Sequence, residues 1–156
     1  MFGAALAFGQ RFQAPEAGRI EQFGAGVAGS GEFTPLFGGL GTFDAGSKSA
    51  GVRIIGVPAG ATGWVAIGRE RALLPDVPFA GLTAFVGELE QLVPIDFSGN
   101  GNLPGEGSFE FVFPDVAPHL GLTRTYQAFL IDAGSPNGLV TSSNALELGF
   151  GVGLKP

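Results

Sequence analysis

The stretch that decides the fold is GSFEFVF, residues 107–113, in which every second residue is a phenylalanine. Phe109, Phe111 and Phe113 fall on one side of an extended chain, with a glutamate and a valine between them on the other. A period of two residues is typical of a strand that buries one face. The sequence therefore predicts a strand here, with its phenylalanine side packed into a core.

Similar short apolar runs recur along the chain, separated by turns rich in glycine, proline and asparagine. The run with Pro35 is expected at a sheet edge, because proline cannot donate to a ladder. Residues 71–81 are expected to form a connection, and 114–122 to hold one short helical turn. The other runs are RIEQF (19–23), FTPLF (33–37), VRIIGVP (52–58), WVAIG (64–68), LTAFV (82–86), LEQLVPIDF (89–97), TRTYQAFLID (123–132) and SNALELGFGV (143–152).

No long segment repeats with the 3.6-residue period of a helix, so the pattern predicts an all-β protein. Strands spaced near ten residues favour an antiparallel immunoglobulin-like β-sandwich of about seven to nine strands, with an extended N-terminal strand. The predicted organisation is an N-terminal arm over residues 1–20 and a sandwich domain over residues 21–156.

The composition narrows the classes of partner. The net charge is −6, which argues against nucleic acid as a partner. No apolar run reaches the roughly 18 residues of a membrane span, so none is expected. The chain has no cysteine, which excludes disulfides and thiol chemistry.

The arm begins MFGAALAFGQRF (1–12) and alternates again with a period of two. One parity is bulky and apolar, interrupted by Gln10, whereas the other is mostly glycine and alanine. The arm admits three interpretations: the remnant of a signal peptide, a first strand that folds onto its own domain, or a donor strand that completes the sheet of a neighbour. The donor strand is the leading interpretation, and its proposed interface residues are Phe2, Ala4, Leu6, Phe8 and Phe12.

The sequence signals for catalytic, metal and cofactor sites are weaker than the signal for the arm. His119 is the only histidine and lies in a proline-flanked connection, so no Ser–His–acid site is expected. The alternation of Asp96, Ser98, Asn100 and Asn102 suits Ca²⁺, but a hairpin turn is the favoured interpretation. We predict that the protein is not an enzyme and has no cofactor or metal.

Trp64 and Tyr126 are each the only residue of their kind, and both lie inside predicted strands. Sugar-binding sites commonly use exposed rings of these two types as platforms. A core position is the favoured interpretation for Trp64, as in immunoglobulin-like domains.

From residue 23 onward, the chain resembles bacterial secreted immunoglobulin-like β-sandwich proteins of unassigned function. The phrases that carry the resemblance are QFGAGVAGSGEFTP (22–35), GVPAGATGWVAIG (56–68), PIDFSGNGNLP (94–104) and GLTRTYQAFLIDAGSPNGLVTSSNALEL (121–148). Val27 departs from that group, which often has cysteine at this place. The resemblance implies an extracellular sandwich and no activity, and the arm resembles the donor strands of pilus subunits.

These observations predict a structural subunit of an extracellular fibre or pilus at the cell surface, whose partner is another copy of itself. A head-to-tail exchange of arms propagates as a filament unless it closes into a ring. The alternative is a monomeric extracellular module that binds a carbohydrate or a cell-surface ligand.

Overall fold

The computed structural model describes residues 17–99 and 105–152 of the 156-residue chain. Eight strands occur in these ranges, joined by turns and by two short 3-10 turns at Ser30–Glu32 and Ala117–His119. The strands are β1 (Arg19–Phe23), β2 (Leu36–Leu40), β3 (Gly51–Val57), β4 (Thr62–Pro75), β5 (Thr83–Asp96), β6 (Gly107–Val112), β7 (Thr123–Ile131) and β8 (Val140–Gly149).

The strands form two sheets of unequal width. One sheet has five strands in the order β1-β8-β7-β4-β5, and the other has three in the order β2-β3-β6. Every strand pair in both sheets is antiparallel. The prediction of an all-β protein with antiparallel sheets is confirmed.

The main core lies between the two sheets and is built from alternate residues of each strand. On β7, Tyr126, Ala128 and Leu130 point inward, in register with Leu146 and its neighbours on β8. On β3, Val52 and Ile54 face them from the smaller sheet. Alternation in the sequence produces this core because successive side chains of a strand point to opposite faces of the sheet.

The β4–β5 hairpin is longer than the sequence predicts. The expected connection at 71–81 is wrong for residues 71–75, which belong to β4, and the two runs at 82–86 and 89–97 are one strand, β5. The register shifts between Ile67 and Gly68, where Glu90 of β5 is the extra residue, and again between Arg71 and Leu74. Such bulges bend a strand while its pairing continues, which short-range patterns in the sequence do not reveal.

The far half of this hairpin folds back over the outer face of the five-stranded sheet. The backbone N–H of Phe85 donates to Oε1 of Gln127 at 2.8 Å, and Nε2 of Gln127 donates to the Thr83 carbonyl at 2.9 Å. A second apolar cluster forms beneath it, from Leu82 and Ala84 of the hairpin and Phe129 of β7, with three further buried residues. All ten residues of β8 are consequently buried, because both faces of that strand are covered.

Two local expectations agree with the structure. β2 begins at Leu36, directly after Pro35, and lies at an edge of the three-stranded sheet. The 3-10 turn at Ala117–His119 is the short helical turn expected at 114–122. β1 begins at Arg19, within the range that the sequence assigns to the arm.

Candidate functional site

The candidate site is a cleft between β5 and β6, the edge strands of the two sheets on one side of the sandwich. The larger sheet has five strands and the smaller one has three. On this side of the sandwich the smaller sheet therefore ends at β6, whereas the larger sheet extends further, to β5. The space between these edges has a volume of about 760 Å³. Three phenylalanines of the 107–113 stretch line one wall, and Val93 and Ile95 of β5 lie on the other.

Two residues that point into the sandwich are left uncovered in this cleft. Phe111 pairs with Val52 and Val93 pairs with Val65, and both partners belong to the main core. Yet Phe111 is 45% exposed and Val93 is 38% exposed. Among the residues that the structure describes, the inner face of the sandwich is therefore incomplete along this margin.

One end of the cleft is closed. Ser98 and Ser108 exchange backbone hydrogen bonds of 2.9 and 3.1 Å, which join the chain after β5 to the start of β6. Next to this bridge, the rings of Phe97 and Phe109 meet edge-to-face with centroids 6.2 Å apart. The free edge of β6 therefore starts only at Phe109.

The other end is open and carries charged and polar groups. Glu90 lies at this mouth and forms salt bridges of 2.6 Å with Arg69 and with Arg124. Its pKa is lowered from the ordinary value, chiefly because Arg69 donates a hydrogen bond to the carboxylate and secondarily because Arg124 is nearby. Gln91 and Asp115 also line this end.

Aromatic side chains line much of the cleft. Tyr126 is buried, which raises the pKa of its phenol to about 12, and its ring contacts Phe37 edge-to-face at 6.4 Å. His119 packs against Phe113 and Phe150, with centroids 5.6 and 5.0 Å away. Asp115, the nearest carboxylate along the chain, accepts the backbone N–H of Ala117 at 2.9 Å and so caps the short turn. These contacts give His119 and Asp115 structural roles.

The predicted donor residues lie outside the described residues. These are Phe2, Ala4, Leu6, Phe8 and Phe12. The arm joins the domain at Gly18, whose backbone N–H donates to Oδ1 of Asp44 at 2.6 Å. This junction lies on the β1 side of the larger sheet, away from β5.

The other predicted positions are distributed over the fold. Asn100 and Asn102 lie outside the described residues, while the Ser98 hydroxyl donates to the Ser108 carbonyl at 3.0 Å. Within the ranges that the structure describes, no group of three His, Cys, Asp or Glu residues is placed to hold a metal ion. Trp64, for which the sequence favours a core position, is half-buried and packs against the second apolar cluster on the outer face.

Sequence reasoning missed the cleft itself. The alternation at 107–113 put Phe111 on the same face as Phe109 and Phe113, but the expectation that this face packs into a core is wrong for Phe111, which is exposed. The alternation contained no information on whether a strand of the opposite sheet would cover that residue. The one signal in the sequence for an edge strand at β5 is Pro94, because proline within a strand indicates an edge position.

Comparison with protein-family models, with curated proteins and with solved structures gave no match. Among the described residues, no helix has the length and apolar character needed to cross a membrane.

Proposed function

We propose that the protein is a structural subunit of an extracellular fibre or pilus. It is built on an immunoglobulin-like sandwich and polymerises by donor-strand exchange of its N-terminal arm. The observation that carries the proposal is the incomplete margin, where the inward-facing Phe111 and Val93 lie exposed between β5 and β6. A strand supplied from outside would complete the smaller sheet and cover both side chains.

The energetics favour such an addition. Full burial of an apolar side chain such as phenylalanine or leucine stabilises by roughly 1.5–3 kcal/mol, and an added strand also gains backbone hydrogen bonds. The arm offers Phe2, Leu6 and Phe8 on one parity, and the cleft offers a predominantly apolar lining. The edge of β6 is exposed next to an apolar cleft. Pairing this edge with an added strand is therefore favoured over leaving it in contact with water.

The extracellular location is part of the proposal. It is supported by the resemblance of residues 22–148 to secreted bacterial sandwiches. The low content of charged residues, 14% of the chain, suits a densely packed assembly.

A second candidate function is a monomeric extracellular binding module. The cleft volume of about 760 Å³ falls within the range of small-molecule pockets, roughly 300–1,000 Å³. The charged mouth at Glu90 and Arg124 would supply polar contacts to a carbohydrate. This candidate predicts a monodisperse monomer in solution.

The first test is deletion of residues 1–14, followed by light scattering and negative-stain microscopy. We expect filaments from the full chain and none from the deletion. Phe8→Asp should also block assembly, because it would bury an unpaired charge. Ala7→Asp, on the opposite parity, is the matched control and should still assemble. A full chain that stays monomeric, or filaments that persist without residues 1–14, would contradict the proposal.

The second test places the charge in the cleft. Phe111→Asp should abolish filaments, whereas Val112→Asp should not, because Val112 points away from the cleft on the same strand. The two side chains are 45% and 48% exposed, so the free subunit should tolerate either change similarly. Circular dichroism of both variants checks that the sheets remain folded. Equal assembly of the two variants would refute a role for the cleft.

A further inference from the structure

We infer that residues 4–8 of a neighbouring copy bind along the free edge of β6 as a fourth strand of the smaller sheet. The added strand runs parallel to β6, with Ala4 beside Phe109, Leu6 beside Phe111 and Phe8 beside Phe113. The inference rests on the proposed function, and it specifies the acceptor strand, the direction and the register.

The choice of β6 over β5 follows from proline. Pro94 lies within β5 and has no N–H, so the free edge of β5 lacks a donor there. β6 contains no proline over Gly107–Val112. A strand added to β6 would also lie over the uncovered inner face of β5, where Val93 is exposed.

The length of the free edge fits five residues. It begins at Phe109, after the Ser98–Ser108 bridge, and ends at Phe113, because Pro114 follows. Five residues of a strand extend about 16 Å. The span Ala4–Phe8 has the same length and brings three side chains of one parity into the cleft.

The direction follows from the two unlike ends of the cleft. The closed end is narrowed by the rings of Phe97 and Phe109, which favours the small side chain of Ala4. The open end carries Glu90, Gln91 and Arg124. With Ala4 at the closed end, the next inward position after Phe8 is Gln10, which reaches this polar mouth. The opposite direction would press Phe8 against the closed end.

The place where the arm joins its own domain favours a neighbour as the donor. The loop at 41–50 lies at the same end of the sandwich as the mouth of the cleft: Phe43 accepts the N–H of Gly151 near β1, and Ala50 accepts the N–H of Phe113 at the end of β6. To reach the cleft of its own domain, an arm would have to pass along this loop and reverse its direction. The distance from β1 to the cleft is about four strand spacings, or 19 Å. A neighbour's arm enters the open end directly.

Disulfide mapping in the full chain tests this register without background, because the chain has no cysteine. The inference pairs the outward residues Ala5 with Glu110 and Ala7 with Val112. The expected cross-links are between Ala5→Cys and Glu110→Cys, and between Ala7→Cys and Val112→Cys. The swapped pairs, Ala5→Cys with Val112→Cys and Ala7→Cys with Glu110→Cys, are the matched controls.

Each pair is tested by mixing two single-cysteine variants and oxidising them mildly before non-reducing electrophoresis. A mixture that forms a covalent dimer shows that the arm crosses to another copy. We expect the two predicted mixtures to form most of the heterodimer and the swapped mixtures to form little. Directly paired residues lie about 4.5–5.5 Å apart at Cβ, against about 7–8 Å for the diagonal positions.

Three results would overturn the inference. Predominant cross-linking of the swapped pairs would show an antiparallel strand. Cross-linking only in double variants, within a monomer, would show that the arm folds onto its own domain. Filaments without any cross-link to β6 would place the acceptor elsewhere and leave the proposed function standing, whereas absence of filaments would refute that function itself.

Discussion

Replacement of Gln127 by leucine should destabilise the domain strongly, because this side chain holds the folded-back half of the β4–β5 hairpin. Gln127 is fully buried, accepts the N–H of Phe85, and donates to the carbonyls of Thr83 and Ser143 at 2.9 and 3.2 Å. Leucine would leave at least two buried backbone groups unpaired, at about 1–3 kcal/mol each. The more apolar side chain offsets part of this cost, so we expect a net loss of about 2–4 kcal/mol.

The assay is urea unfolding, followed by circular dichroism, in a full chain that carries Phe8→Asp and is therefore expected to stay monomeric. Gln91→Leu is the matched control, because the same change occurs on the same type of secondary structure at an exposed position. We expect it to change the free energy of unfolding by less than about 0.5 kcal/mol, as is usual for surface substitutions. A loss below about 1 kcal/mol for Gln127→Leu would refute the reasoning, because orphaned buried groups cost at least that much.

Three further changes have defined outcomes. Tyr126 is the only tyrosine, and burial raises its pKa to about 12, so its absorbance at high pH should titrate about two units above an unfolded control. The contribution of the neutral phenol to the free energy of unfolding is fully present below the unfolded pKa of about 10 and is lost as the pH rises toward 12. A titration midpoint near pH 10 in the folded protein would contradict the burial of this phenol. Glu147→Gln should cost about 1–3 kcal/mol in urea unfolding, because the buried carboxylate accepts charged hydrogen bonds from Arg19 and Arg71, and no measurable loss would exclude this role. Gly63→Ala should cost about 1–3 kcal/mol or more, because a Cβ at this position would clash with the backbone carbonyl of Phe129 on β7; an unchanged melting temperature would show that the strands separate freely.

The secondary structure was largely readable from local patterns. The period of two predicted an all-β protein, placed the strand at 107–113 and oriented Phe111 inward. Pro35 predicted an edge strand at 33–37, which the structure places at Leu36–Leu40, and the short turn expected within 114–122 lies at Ala117–His119. These features depend on side-chain alternation and on the missing proline N–H, both of which a linear sequence contains.

The second apolar cluster was not readable in this way. It depends on a hairpin that bends at a bulge and returns over residues some forty positions away, as the Phe85–Gln127 hydrogen bond shows. The burial of polar residues 141–144 on β8 also depends on long-range contacts, because Thr141 donates to the carbonyl of Val27 and Asn144 hydrogen-bonds to the backbone of Phe37. A period-two pattern gives no information on what lies above the outer face.

The sequence by itself determined that this chain folds as strands with one apolar side, and that its first twelve residues carry the same alternation. Only the tertiary structure decided that, over residues 17–99 and 105–152, the two sheets have five and three strands, so that Phe111 and Val93 face inward without a cover from these residues. The physical reason is that alternation fixes the direction of a side chain relative to its own strand. Burial depends on the strands that pack opposite, which pairing over long sequence distances selects.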